Sequence, residues 1–146
     1  MVVRILLASV AVAVVAAVAS FSYVKKSTAG KYRDGVYEGS SQSIYTSEEF
    51  WGKAEIEISK RQIARVDFSI VDEGTGRKLD LKYCSYAFGS NPEYLRQCHH
   101  DSRGMRTYTQ ALMKAKDLKK VHAVAGATWS YDIFKASAGQ ALAKAK

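Results

Sequence analysis

Apolar and polar residues alternate along two adjacent stretches of the chain. Ala54, Ile56 and Ile58 interleave with Lys53, Glu55 and Glu57. After Ser59-Lys60-Arg61-Gln62 the alternation resumes, with Ala64, Val66, Phe68 and Ile70 set against Arg65, Asp67 and Ser69. A period of two puts one set of side chains on one face of a strand, so the pattern predicts a hairpin with a single buried face. Burying Ile56, Ile58, Val66, Phe68 and Ile70 contributes about 1.5 to 3 kcal/mol each before entropy is counted. Such a sheet gives later loops a rigid platform. Upstream, Val36 to Ser40 reads as an earlier strand and Ser40-Ser41-Gln42-Ser43 as a turn. Ser47-Glu48-Glu49 is compatible with a single helical turn before Phe50-Trp51.

The period changes in the second half. From Met105, residues Tyr108, Ala111, Leu112, Ala115 and Leu118 fall on one helical stripe, while Lys114, Lys116, Lys119 and Lys120 lie outside it and complement the C-terminal end of the dipole. Trp129, Ile133, Phe134, Ala138, Ala141, Leu142 and Ala145 mark a last helix. Val121 to Val124 joins the two as a short strand or extended loop. Tyr83 to Arg103, punctuated by Asn91-Pro92, reads as a long irregular excursion with one helical turn near Tyr94-Leu95; an excursion of this length is often functional. The expected fold is therefore α+β, an antiparallel sheet packed by two helices, over residues 35–146.

Ahead of it, Arg4 precedes an apolar run from Ile5 to Ala19, and Ala17-Val18-Ala19 suits a signal peptidase. The apolar character extends through Phe21, Tyr23 and Val24, long enough for an uncleaved anchor. Lys25, Lys26, Lys31 and Arg33 outweigh Arg4 and favour the opposite orientation by charge bias. Residues 1–24 are expected to be a signal peptide or an N-terminal membrane anchor, and 25–34 a polar linker. Either makes the domain exported, periplasmic or extracytoplasmic. The chain carries a formal net charge of +8, which favours anionic partners. Its lysines and arginines are scattered, and an exported chain rarely meets nucleic acid, so lipid headgroups or a ligand phosphate are better candidates, beside a merely solvated surface.

Three places carry candidate chemistry. At Ala125-Gly126-Ala127-Thr128 small residues deliver a hydroxyl to the point where the last helical pattern begins. Thr128 reads as its N-cap, and a helix start suits a phosphate; a plain turn and cap has the same sequence. Asp72-Glu73-Gly74-Thr75-Gly76-Arg77-Lys78 can surround an anion with Thr75, Gly76 and Arg77, or be a strand-ending turn. Cys84 and Cys98, the only two cysteines, suit one disulfide in an exported chain, closing a loop of about 15 residues and worth on the order of 3 kcal/mol. Free thiols, or a metal site with His99 and His100, are the alternatives, although the spacing matches no structural zinc pattern. Absence of Cys-x-x-Cys-His excludes the usual c-type haem attachment.

Ala125-Gly126-Ala127-Thr128-Trp129-Ser130, together with Asp34-Gly35-Val36-Tyr37-Glu38-Gly39 as an opening strand, resembles the FMN-binding domain family over about residues 32 to 145. That family includes the covalently flavinylated subunits of sodium-translocating and Rnf-type electron-transfer complexes and small exported flavoproteins. Its motif runs Asp, two variable residues, Ser or Thr, then Gly-Ala-Thr. A separate flavin transferase joins FMN to the last Thr through a phosphoester. Here His122 stands at the Asp position and Ala125 at the Ser/Thr position.

The resemblance implies an FMN-binding electron carrier of the envelope rather than an independent enzyme, with no catalytic residue and no metal. Thr128 is its attachment residue, Gly126 and Ala127 allow close approach of the phosphate, and Ala125, Trp129 and Ser130 belong to the site. Its implied partners are the flavin transferase and envelope redox proteins. Two alternatives remain open at this point: a non-covalent flavin or anion binder, and a cofactor-free interaction domain.

Overall fold

The computed structural model describes residues 31–146 apart from 45, 46 and 48, so the leader or anchor expected at 1–24 lies outside the described residues. The chain forms β1 (Gly35–Ser40), β2 (Phe50–Ser59), β3 (Gln62–Asp72), α1 (Leu81–Phe88), α2 (Pro92–Ala115), a 3-10 turn (Leu118–Lys120) and α3 (Thr128–Lys144). The strands make one antiparallel sheet in the order β1-β2-β3. The class is α+β as expected, with three α-helices among the described residues where the periodicity predicts two. None of the described helices is long and apolar enough to cross a membrane.

The β2–β3 hairpin forms where alternation predicts it, with one correction. Glu57 lies opposite Arg65 but Ile58 lies opposite Ile63, so Ala64 is an extra residue in the ladder. That bulge turns Ile63 inward and leaves Ala64 exposed. The two-residue turn between the strands puts Lys60 and Arg61 at positive φ, 51° and 62°, which costs non-glycine residues energy. Asp34 offsets this: its carboxylate accepts the N–H groups of Lys60 at 3.1 Å and Arg61 at 2.6 Å.

The stretch expected to be irregular is helical. Asp80 caps α1 by accepting the N–H of Tyr83 at 2.8 Å. Asn91 caps α2 through the N–H groups of Glu93 and Tyr94, and Pro92 occupies the first turn. Asn-Pro is thus a helix start, since proline lacks only an N–H that no helical carbonyl would take there. Helix α2 therefore begins well before Met105.

Helices α2 and α3 cover one face of the sheet. Ala54, Ile56, Ile58, Ile63 and Val66 meet Tyr108 and Leu112 of α2 and Phe134, Ala138, Ala141 and Leu142 of α3. On the other face Arg65 pairs with Glu55, Glu57 and Asp67 in solvent. A second cluster, containing Ile70, Leu79, Tyr83, Met105 and Ile133, lies beside α1. There Cys84 and Cys98 form a disulfide with a Cα–Cα distance of 5.6 Å, tying α1 to α2. The expected linker is part of the fold where it is described: Tyr32 is buried, and the N–H of Arg33 donates to the carbonyl of Ala145 at 2.7 Å. Packing therefore includes Tyr32, ahead of residue 35.

Candidate functional site

Gly126 takes φ +78° and turns the chain into α3, with the N–H of Ala127 donating to the Val124 carbonyl at 3.0 Å. Thr128 is the first helical residue; the N-cap is Ala127, which makes no side-chain cap. This corrects the expected N-cap role of Thr128, because the first carbonyl to enter the helix ladder is that of Ala127, bonded by the N–H of Tyr131 at 3.1 Å. The cap comes from another helix. Asp101 of α2, 2% exposed, accepts the N–H of Ser130 at 3.2 Å. Its negative charge also faces the positive end of the helix dipole.

Asp101 belongs to a stripe on α2 that grips the whole turn. Gln97, one turn earlier, donates to Asp101 and to the carbonyl of Gly126, both at 2.8 Å. Gly104 allows the close approach: a Cβ there would lie 2.6 Å from that of Ala127. Tyr108, fully buried, donates to the Ala127 carbonyl at 2.8 Å and accepts the N–H of Val124 at 3.1 Å. Burial pushes its hydroxyl above the usual tyrosine value. Spacings of four, three and four residues place these four groups along one face of α2.

This grip satisfies the inner groups of the turn and leaves its outer ones open. Among the described residues, the N–H groups of Thr128 and Trp129 and the exposed Thr128 hydroxyl have no protein partner. Ala125 and His122 are exposed on the approach. Ser130 is buried and returns its hydroxyl to the Ala127 carbonyl at 3.0 Å. Trp129 is half-buried and points elsewhere: its ring packs edge-on against Phe50 at 5.7 Å.

Trp129 and Phe50 open one side of a mainly apolar cavity of about 330 Å³, completed by Leu79, Phe88, Tyr94, Gln97, Cys98 and Asp101. The aromatic series continues from Phe50 to Tyr83, Phe88 and Tyr94, with successive centroids 6.1, 6.2 and 6.1 Å apart. Apolar walls with few polar groups, at a size near the lower end for small-molecule sites, suit a planar aromatic ligand. A larger open groove of about 500 Å³ lies between β3 and α2, but no residue of the 124–130 turn lines it.

The 72–78 turn is organised differently. The Asp72 carboxylate accepts the N–H of Gly74 at 2.9 Å and the hydroxyl of Thr75 at 2.7 Å. It also receives the Tyr83 hydroxyl at 2.8 Å. The hydrogen bond from Thr75, then that from Tyr83, holds Asp72 below the usual carboxylate value. Burial, then Asp72, pushes the Tyr83 hydroxyl up to about 12. Gly76 sits at φ +67°, and the Arg77 guanidinium stacks 4.3 Å from the Tyr86 ring centre. Thr75, Gly76 and Arg77 are thus engaged within their own loop and with α1. Gly126, Ala127, Thr128 and Trp129 lie in or next to the other turn, which meets Phe50, the strand partner of Asp72, through Trp129.

Sequence reasoning did not find Gln97, Asp101, Gly104 or the cavity aromatics Phe50, Phe88 and Tyr94. The Asn91-Pro92-Glu93 helix start was the signal that could have found the first three, since it puts them in register with Tyr108. With both sulfurs in a disulfide, Cys84 and Cys98 are not thiolate ligands, and the described residues contain no group of three or more metal-binding side chains.

No protein-family model and no curated protein matches the chain. Among solved structures, the crystal structure of the CPE2226 protein from Clostridium perfringens, a structural-genomics target, aligns with a TM-score of 0.61 at 19% identity, over 78% of this chain and 88% of that one. At that identity the likeness is one of fold.

Proposed function

We propose that the chain is an FMN-binding electron-transfer domain of the cell envelope, with the FMN phosphate at the head of α3 and Thr128 as its point of phosphoester attachment. The observation that carries this reading is the presentation of Thr128. An exposed hydroxyl and two backbone N–H groups without partners among the described residues sit at a helix start, the preferred place for a phosphate. The neighbouring residue, Trp129, opens onto an aromatic cavity. The fit is therefore to an anion joined to a flat ring. When bound, the flavin supplies one- and two-electron redox chemistry; the protein's own part is position, burial and exclusion of water.

The Thr128 hydroxyl is a weak nucleophile, and among the described residues no carboxylate or imidazole hydrogen-bonds it. Attachment therefore requires a separate flavin transferase. Export rests on the apolar run that starts at Ile5, and redox proteins of the envelope would donate and accept the electrons.

His122 and Ala125, exposed where the resembling motif carries Asp and Ser or Thr, favour a second reading in which flavin is held without a covalent bond. Expression in a host with a flavin transferase separates the possibilities by fluorescence. Covalent attachment predicts flavin that survives denaturation in the wild type and is lost in Thr128→Ala. Flavin present in both proteins under native conditions alone supports the non-covalent binder. Flavin in neither supports a cofactor-free interaction domain.

A further inference from the structure

Along the C-terminal half of α3 the surface opens into a hollow of about 190 Å³, lined by Lys31, Lys119, Lys135 and Lys146 with Asp117 as the one carboxylate. Asp117 lies 3.9 Å from Lys31, and both side chains remain substantially exposed, 32% and 52%. A pair at that distance in solvent neutralises little. The contrast is with the open face of the sheet, where Arg65 is matched by three carboxylates. The sheet's charges compensate one another; the hollow keeps an excess of positive charge.

The hollow also lies where the preceding chain arrives. Lys31 lines it, and six residues, making seven Cα–Cα steps, separate Val24, the end of the apolar run, from Lys31. Fully extended, they span at most about 25 Å. Lys25 and Lys26 add two more cations on the way. We propose that this lysine-lined face rests against an anionic lipid surface. Thr128 does not line the hollow, and it lies about 10 Å along α3 from Lys135, so the turn at the head of the helix is left outside the lipid-facing surface. The proposal uses none of the residues assigned to the flavin.

Lysine acetylation footprinting tests it with the full chain mixed with vesicles of phosphatidylcholine alone or of phosphatidylcholine and phosphatidylglycerol. On the anionic vesicles Lys31, Lys119, Lys135 and Lys146 should react about tenfold more slowly, while Lys53, Lys60 and Lys82 keep their rates. High salt should abolish the difference. Lys119→Glu combined with Lys135→Glu, both at exposed positions, should remove the protection of Lys31 and Lys146 while near-UV circular dichroism stays unchanged. Thr128→Ala must give the wild-type footprint, which keeps this outcome apart from the flavin assignment.

Equal rates on the two vesicles would overturn the proposal, and so would protection spread over Lys53 and Lys60. Two further results would also overturn it. Equal protection by inorganic phosphate alone would point to a free-anion site, and protection only on addition of an acidic envelope protein would point to a protein partner.

Discussion

The turns at 72–78 and 124–130 each place a glycine at positive φ beside a threonine, Gly76 after Thr75 and Gly126 before Thr128. They differ in what satisfies the backbone. In the first, Asp72 takes the N–H of Gly74 and the hydroxyl of Thr75, so the loop closes on a carboxylate of its own. In the second, Gln97, Asp101 and Tyr108 reach in from α2 and bind the inner groups. The outward N–H groups of Thr128 and Trp129 keep no protein partner among the described residues. A glycine and a hydroxyl residue therefore do not by themselves leave N–H groups without a protein partner; the source of the competing acceptor decides.

The largest test of this contrast is Asp101→Ala. It strips α3 of its cap and leaves the buried N–H of Ser130 without its acceptor, at an expected cost of about 2 to 3 kcal/mol in denaturant unfolding. It should also loosen the 124–130 turn and reduce flavin retention. Asp72→Ala should change its own loop and release the Tyr83 hydroxyl, leaving flavin retention at the wild-type level. Equal loss of flavin in both variants would erase the distinction.

Gly104→Ala should cost less, about 1 to 2 kcal/mol net. Its new Cβ would lie 2.6 Å from that of Ala127, and the overpacking exceeds the roughly 1 kcal/mol gained in helix propensity. Gly76→Ala meets nothing within 4 Å, so its cost is the positive φ alone, about 1 kcal/mol. Hydrogen exchange at Ser130 should rise in the first variant and remain unchanged in the second.

The smallest effect is in pH dependence and belongs to the self-closed turn. Tyr83 is pushed up to about 12, above its unfolded value of about 10. Its contribution is therefore whole below pH ~10 and is lost as the pH rises through about 12. Asp72 is lowered, so its contribution is whole above its unfolded value and is lost as the pH falls through the folded one. Tyr83→Phe should remove a late-titrating phenol from an absorbance titration and soften the alkaline limb of stability. A Tyr83 phenol that titrates with the solvent-exposed tyrosines would contradict the bond to Asp72.

What could be read in the sequence followed from burial on one face. Ala54, Ile56 and Ile58 alternate because β2 packs against helices on one side and water on the other, and Phe134, Ala138 and Leu142 announce α3 for the same reason. The bulge at Ala64 was hidden because Ile63 and Ala64 are both apolar, and only the register tells which one faces inward. Helix α1 and the start of α2 carry little apolar stripe: Tyr86 and Tyr94 are exposed, and the disulfide replaces part of the packing. Their polar caps, Asp80 and Asn91, look like loop residues until the helix behind them is known. The turn before α3 was visible at Gly126 and Thr128, whereas the α2 groups that hold it are distant in sequence and acquire meaning only when α2 is in place.

The most direct measurement is the intact mass of the protein exported in a host with a flavin transferase and denatured before analysis. The account predicts a gain equal to FMN minus one water, confined to the peptide containing Thr128 and absent from Thr128→Ala. An unmodified mass, or an adduct on any other peptide, would contradict it.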